Sequence, residues 1–165
     1  MDFFSSKYNR EYLRNEAFFG IVDREAEPFA RTTTEPADSP WDANVKNPSR
    51  QDMLFIPVDG NIAIKKNGNN VKLCEGMLYC VDNSFLAFIE IKNRRKSDFV
   101  KAEEQLASTI NEFVANHDPK KFRMRKAYIA DHRHPQFQVS HKVEMNEFRS
   151  KYGFRLLYQN TIEVG

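Results

Sequence analysis

The stretch FLAFIEIK, residues 85–92, constrains the fold most strongly, because apolar side chains occupy both sides of an alternating strand. A strand with two apolar faces is typical of the interior of a sheet that other layers cover on both sides. The stretch nevertheless ends in Glu90 and Lys92. Charged groups are unfavourable to bury unless they are paired or bind a metal. The sequence therefore predicts a central strand that emerges, partly shielded from water, at a charged pair.

The rest of the chain predicts a single mixed α/β domain over residues 1–165. Residues 23–50 are rich in Pro, Thr, Asp, Asn and Ser, which predicts a long irregular segment that Trp41 pins to the body. We expect a central mixed sheet of about four to five strands flanked by helices. Periodicity and turn residues predict helices at 7–22, 98–116 and 142–152, and strands at 53–58, 61–64, 71–81, 85–92, 126–131 and 154–164.

The charge of the chain is nearly balanced but unevenly distributed. The formal net charge is +2, from 25 basic and 23 acidic residues, so composition alone does not indicate a simple electrostatic nucleic-acid binder. Basic residues concentrate in two clusters, Lys92–Lys96 and Lys120–Lys126. Each cluster is either a solvated face or a set of contacts to nucleic-acid phosphates. Phosphate contacts would not distinguish one base sequence from another.

Cysteine usage and hydropathy restrict the cellular setting. Cys74 and Cys80 match no zinc spacing and do not make a disulfide framework. The beginning of the chain shows no secretory signal pattern, and no apolar run approaches the length of a membrane span. We therefore expect a cytoplasmic protein with no membrane partner.

A hairpin over residues 71–92 would give the charged pair a third member. With Asn83 and Ser84 as the turn, Glu75 lies opposite Lys92 and diagonal to Glu90, and all three share one face. Asp82 would lie at the far tip of this hairpin. A slip of one residue would move Glu75 to the other face.

Two close carboxylates repel unless a positive group lies between them. Mg²⁺ prefers carboxylate oxygens and water, and an adjacent lysine could orient or deprotonate a water molecule or hold a phosphate oxygen. Glu75, Glu90 and Lys92 therefore suit phosphodiester hydrolysis. The alternative is a Glu–Lys pair at a strand end that has no catalytic role.

An acid, an apolar strand ending in EIK and a helix containing KAEEQLASTI together resemble the PD-(D/E)xK, or restriction-endonuclease-like, nuclease superfamily over residues 53–131. The resemblance implies a core of a helix, three strands, a helix and a strand. It implies that Glu75 and Glu90 bind Mg²⁺ or Mn²⁺, that Lys92 assists the attacking water, and that Gln105 lies near the site. The implied substrate is DNA or RNA.

This sequence departs from the superfamily pattern at the first acid, which is usually Asp and here is Glu75. Other acids compete for that role or for an additional one, namely Asp59, Asp82, Glu16 and Glu11. The superfamily also contains inactive members, so the alternative function is a nuclease-like fold that binds nucleic acid or a protein partner. A homodimer is compatible with either function.

Two further patterns allow opposing interpretations. In the run from Asp131 to His134, His132 and His134 have the spacing of zinc co-ligands on a strand, but no Cys or further His lies at a standard zinc spacing, so a solvated loop is favoured. Gln105 and Thr109 lie one turn apart on a flank of the predicted helix, which either lines a cleft or faces water.

Overall fold

The computed structural model describes residues 1–92, 99–131 and 142–165. The two α-helices are α1 (Phe99–Asn116) and α2 (Lys142–Tyr152). The strands are β1 (Phe18–Val22), β2 (Arg31–Thr33), β3 (Ala43–Lys46), β4 (Met53–Pro57), β5 (Lys65–Lys66), β6 (Asn69–Asn70), β7 (Gly76–Cys80), β8 (Phe85–Ile91), β9 (Met124–Ala130), β10 (Arg155–Tyr158) and β11 (Thr161–Glu163).

A five-stranded mixed sheet forms the centre of the molecule, in the order β10-β9-β8-β7-β4. Strands β4, β7 and β8 pair antiparallel, whereas β8, β9 and β10 pair parallel. Helix α1 connects the parallel strands β8 and β9, as a crossover between such strands requires. The prediction of a mixed α/β fold with a five-stranded sheet is confirmed.

Different layers cover the two faces of this sheet. All seven residues of β8 are buried, as the two apolar faces of its sequence predict. One face packs against α1 and α2, which contribute Leu106, Ile110 and Phe148. The other face packs against a second sheet, in the order β11-β3-β1-β2, which contributes Phe19 and Val45. Within the described residues, the predicted flanking helices therefore cover one face of the central sheet, and a second sheet covers the other.

The helices after β8 follow their sequence patterns closely. Helix α1 buries Ala102, Leu106, Ile110 and Phe113 along one stripe. Helix α2 ends at Tyr152, directly before Gly153, whose φ of 75° terminates a helix without strain on a side chain. Neither helix is both long enough and apolar enough to cross a membrane.

The predicted helix over residues 7–22 is wrong. Residues 18–22 form β1, in which the burial of Phe19 and Ile21 follows the two-residue period of a strand. The backbone before β1 runs extended beside β4, where Arg14 and Met53 exchange two hydrogen bonds of 2.9 Å. Tyr12, which helical spacing placed on the apolar face, is 96% exposed. The aromatic residues that suggested helical spacing thus belong to separate extended segments.

The prediction that residues 23–50 are irregular is also wrong. This segment contains β2, β3 and a 3-10 turn at Pro36–Asp38, and its prolines all lie outside the strands. Trp41 does pin the segment to the body, because its ring lies where a Cβ on Gly20 would be, 2.2 Å away. Gly20 is therefore required for close packing across β1.

Three predicted strands have different bounds in the structure. Residues 61–64 form no strand, and the strand predicted at 71–81 begins only at Gly76. The final predicted strand divides in two: β10 joins the central sheet, and β11 joins the second sheet beside β3. The last residues of the chain thus connect the two sheets.

Candidate active site

The hairpin of β7 and β8 brings Glu75 and Glu90 together more closely than the sequence predicted. Gly76 pairs with Ile89 and Met77 with Phe88, so the next pair in the register is Glu75 with Glu90. The predicted register was displaced by two residues, because the connecting loop has four residues, 81–84, instead of two. A two-residue displacement keeps every side chain on its predicted face. The face shared by Glu75, Glu90 and Lys92 is therefore retained.

Glu90 is buried at the end of β8, with 3% of its surface exposed. Its Oε1 accepts a hydrogen bond of 3.1 Å from the backbone N–H of Ile91. Its Oε2 is buried and accepts no hydrogen bond from an N–H or hydroxyl group of the described residues. Burial, followed by the charge of Glu75, raises the pKa of Glu90 well above its usual range.

Glu75 is half-buried and immediately precedes β7. Its backbone carbonyl accepts a hydrogen bond of 2.8 Å from Val58, which holds this residue beside the end of β4. Burial, followed by the charges of Asp23 and Asp59, raises the pKa of Glu75 to about 8. The carboxyl groups of Glu75 and Glu90 are hydrogen-bonded to each other when one of them carries a proton.

Further acids surround this carboxyl pair. Asp59 lies in the turn after β4, and its charge raises the pKa of both Glu75 and Glu90. Asp23 directly follows β1 and Asp42 directly precedes β3 in the second sheet, and their charges also raise the pKa of Glu75. Asp42 is held by a 2.8 Å hydrogen bond from the N–H of Asp23 and a 3.0 Å ion pair with Arg24. The structure thus places Asp59 near the site, and adds two acids that the sequence did not predict.

Lys92 lies directly after β8 and faces a carboxylate from the neighbouring strand. Its Nζ is 3.8 Å from Oδ2 of Asp131 and 4.4 Å from the centre of the Phe99 ring. The side chains of Lys92 and Asp131 are only 2% and 1% exposed. Asp131 follows β9, and the carboxyl ends of parallel strands meet at one edge of a sheet. The acid at the end of KAYIAD was the sequence signal for this contact, once β8 and β9 are known to be parallel.

Gln105 is partly buried, and its side chain contacts the backbone that precedes β7. Its Nε2 donates a 3.3 Å hydrogen bond to the carbonyl of Leu73. One turn later, the hydroxyl of Thr109 donates to the carbonyl of Gln105 and accepts from the backbone N–H of Cys74, both at 2.8 Å. Gln105 and Thr109 therefore hold the backbone that leads into Glu75.

The remaining candidate acids lie away from the pair. Asp82 caps Ser84 at the opposite end of the hairpin with a 2.9 Å hydrogen bond. Glu11 accepts hydrogen bonds from the backbone and hydroxyl of Thr32, and Glu16 forms a 3.1 Å ion pair with Arg14. Because residues 7–17 form no helix, neither glutamate is an acid on a first helix.

Two predicted features lie outside the described residues. They are the histidines of the possible zinc site, His132 and His134, and the basic residues Arg94, Arg95 and Lys96.

The carboxyl pair provides oxygen ligands of the kind that a divalent ion prefers. Within residues 1–92, 99–131 and 142–165, no three His, Cys, Asp or Glu side chains are arranged so that they could hold a metal. Mg²⁺ commonly binds through one or two carboxylates and retains several waters. Glu75 and Glu90 supply two adjacent carboxyl groups, and Oε2 of Glu90 has no competing donor. This donor set fits a two-carboxylate site.

Comparison with known proteins gave no match: no protein-family model, curated protein or solved structure is significantly similar to this chain.

Proposed function

We propose that this protein is a Mg²⁺- or Mn²⁺-dependent nuclease that hydrolyses phosphodiester bonds in DNA or RNA. The observation that carries the proposal is the side-by-side placement of Glu75 and Glu90 on the face of the sheet that also carries Lys92. Two adjacent carboxyl groups, one of which raises the pKa of the other, suit the binding of a divalent cation.

Glu75 and Glu90 would hold the ion, which when bound supplies an acidified water and neutralises phosphate charge. Lys92, paired with Asp131, supplies positive charge beside the carboxyl pair. In this role the lysine stabilises negative charge on the phosphate oxygens. Gln105 and Thr109 act as positioning residues, because they bind the backbone before Glu75 rather than the substrate.

The order of elements supports the resemblance to PD-(D/E)xK nucleases. Three antiparallel strands, β4, β7 and β8, are followed by α1 and by the parallel strand β9. The departure is at the beginning, where extended backbone replaces the helix that the resemblance implies. A cytoplasmic location belongs to the same proposal.

The alternative function is an inactive nuclease-like fold that binds nucleic acid or a protein partner, including a second copy of the chain. One observation favours it: Glu90 and the Lys92 side chain are almost inaccessible to water. A substrate phosphate reaches such groups only if the edge of the sheet opens.

The test is cleavage of labelled duplex DNA, single-stranded DNA and RNA with Mg²⁺, Mn²⁺ or chelator. We expect cleavage with a divalent ion and none with chelator. Glu90→Gln keeps the size of the side chain but removes its charge, and should reduce the rate by about a hundredfold or more, the scale on which one lost charge-stabilising group is felt.

Asp82→Asn is the matched control, because Asp82 is an exposed acid at the other end of the same hairpin. It should cleave like the wild-type protein. Equal cleavage by wild-type and Glu90→Gln proteins would remove the catalytic role of Glu90. Metal-independent binding without cleavage would instead favour the binding module.

A further inference from the structure

A cleft lined by cations lies at the end of the central sheet opposite the Glu75–Glu90 carboxyl pair. It has a volume of about 390 Å³ and is bordered by the beginnings of β9 and β10 and the end of α2. Its charged lining residues are Arg123, Arg125, Lys126, Arg149 and Arg155. Lys126, the lining residue that is closest along β9 to Asp131, lies five residues before it, roughly 16 Å at the usual rise per residue. The cleft is therefore distinct from the carboxyl pair.

Nothing in the lining of the cleft neutralises these charges. No carboxylate lines it, and none of its five cations forms an ion pair with a carboxylate of the described residues. Burial and the neighbouring charge of Arg155 lower the pKa of Lys126. Two carboxylates outside the lining act on these cations: Glu163 favours the charged form of Lys126, and Arg123 in part lowers the pKa of Asp82. The cleft therefore carries an excess of positive charge.

Two of the cations are held by backbone carbonyls and form the inner wall. Arg125 donates to the carbonyls of Phe122 at 2.9 Å and Gly153 at 3.3 Å. Lys126 donates to the carbonyl of Glu163 at 3.2 Å. These bonds join the end of α2 and the strand β11 to the beginning of β9. The inner wall is thus built by the fold and does not depend on a ligand.

The other three cations remain available. Arg123, Arg149 and Arg155 are exposed, and within the part of the chain that the structure describes their guanidinium groups form no hydrogen bond. They come from three separate elements: the residue before β9, the last turn of α2 and the start of β10. Planar guanidinium groups donate paired hydrogen bonds that match the oxygens of a phosphate.

We propose that this cleft is a phosphate-binding site, with Arg123, Arg149 and Arg155 as the contacting residues. The source of the phosphate is either a nucleic-acid backbone or a small phosphorylated molecule. The site needs no divalent ion and does not depend on the nuclease proposal. The site includes only part of the basic cluster Lys120–Lys126. Lys120 and Lys121 do not line the cleft, whereas Arg149 and Arg155, which are distant in the sequence, do.

Binding is measured in chelator, so that catalysis cannot contribute. The probes are a fluorescein-labelled duplex DNA, followed by anisotropy, and inorganic pyrophosphate, followed by calorimetry. The test variant is Arg149→Gln/Arg155→Gln. The control Lys120→Gln/Lys121→Gln removes the same charge from the neighbouring exposed turn. Thermal unfolding of each variant shows that it is folded.

If the backbone of nucleic acid is the source, the test variant should bind duplex about tenfold or more weakly, and the slope of log affinity against log salt should fall by about two. The control variant should change little. If a small phosphate is the source, pyrophosphate binding should be lost in the test variant while duplex binding stays unchanged. The proposal is overturned if neither probe binds, or if the control loses as much affinity as the test variant.

Discussion

A carboxyl group as buried as that of Glu90 is stable in only two forms, protonated or beside a cation. The charge of the neighbouring Glu75 makes the charged form of Glu90 still less favourable. The pair therefore keeps a proton under conditions in which isolated glutamates have lost theirs. A divalent ion would displace that proton, which links metal binding to pH.

This pair predicts an unusual pH dependence of stability. An acid whose pKa is raised on folding holds a proton that the unfolded chain has released, so the folded state loses stability as pH rises. In chelator, the free energy of unfolding should fall between about pH 4.5 and about pH 8, the window bounded by the ordinary and folded values for Glu75. Urea unfolding at a series of pH values measures this.

Glu75→Gln/Glu90→Gln is the control for the pH experiment, because amides of the same size do not ionise. Its stability should depend less on pH across that window. If wild-type stability rises from pH 5 to pH 8, or if the double variant has the same pH profile, the carboxyl groups do not share a proton in the folded protein.

Lys92 has a structural role in addition to the catalytic role proposed for it. Its contacts with Asp131 and Phe99 join the ends of β8 and β9 to the start of α1. Removing one partner of a buried ion pair leaves the other uncompensated. A Lys92 variant therefore reports on catalysis only if its folding is measured at the same time.

At the scale of elements, α1 both completes the core and positions the site. Leu106, Ile110 and Phe113 pack on the central sheet, and the adjacent flank carries Gln105 and Thr109. The hydroxyl of Thr109 accepts a hydrogen bond from the buried backbone N–H of Cys74. A buried N–H of this kind needs an acceptor. The helix thereby determines where the backbone before Glu75 runs.

Thr109→Val should destabilise the protein by about 1–3 kcal/mol, because it leaves the buried N–H of Cys74 without an acceptor. Urea unfolding measures the loss. Ser108→Ala is the control on the neighbouring position, where the side chain makes no hydrogen bond within the described residues, and should change stability by less than about 0.5 kcal/mol. Equal stability of the wild-type and Thr109→Val proteins would contradict this role of the helix.

The elements differ in how far the sequence predicts them. The strand 85–91 and both α-helices are predictable because the spacing of their apolar residues agrees with the residues that end each element. Phe113 continues the apolar spacing of α1, and Gly153 follows the end of α2. The second sheet is not, because its strands are as short as three residues and alternate with prolines. Their stability comes from long-range pairing, such as β11 beside β3, which no local pattern encodes.

The candidate site shows the same division. Glu90 and Lys92 stand at the end of a strand with an unmistakable pattern, and Glu75 follows from face alternation even though the predicted register was displaced. The partner of Lys92 could not be assigned, because Asp131 meets it only through parallel pairing of β8 with β9. Asp23 and Asp42 could not be assigned for a similar reason, since they reach the site from the second sheet.

At the scale of the whole molecule, the nearly balanced net charge conceals two opposite ends. Acids from both sheets gather where β8 ends, and arginines gather where β9 and β10 begin. The central sheet runs between the two groups and separates them. A polyanion would be drawn to the arginine end, while the acid end requires a cation before a phosphate can approach it.

The most direct test of the carboxyl pair as a metal site is anomalous diffraction from crystals soaked with Mn²⁺. We predict one peak bridging the carboxylates of Glu75 and Glu90, at about 2.0–2.2 Å from their oxygens. No peak should occupy this position in Glu75→Gln/Glu90→Gln crystals. Crystals in which Mn²⁺ leaves the two carboxyl groups hydrogen-bonded to each other, with no anomalous density beside them, would contradict a metal site at this pair.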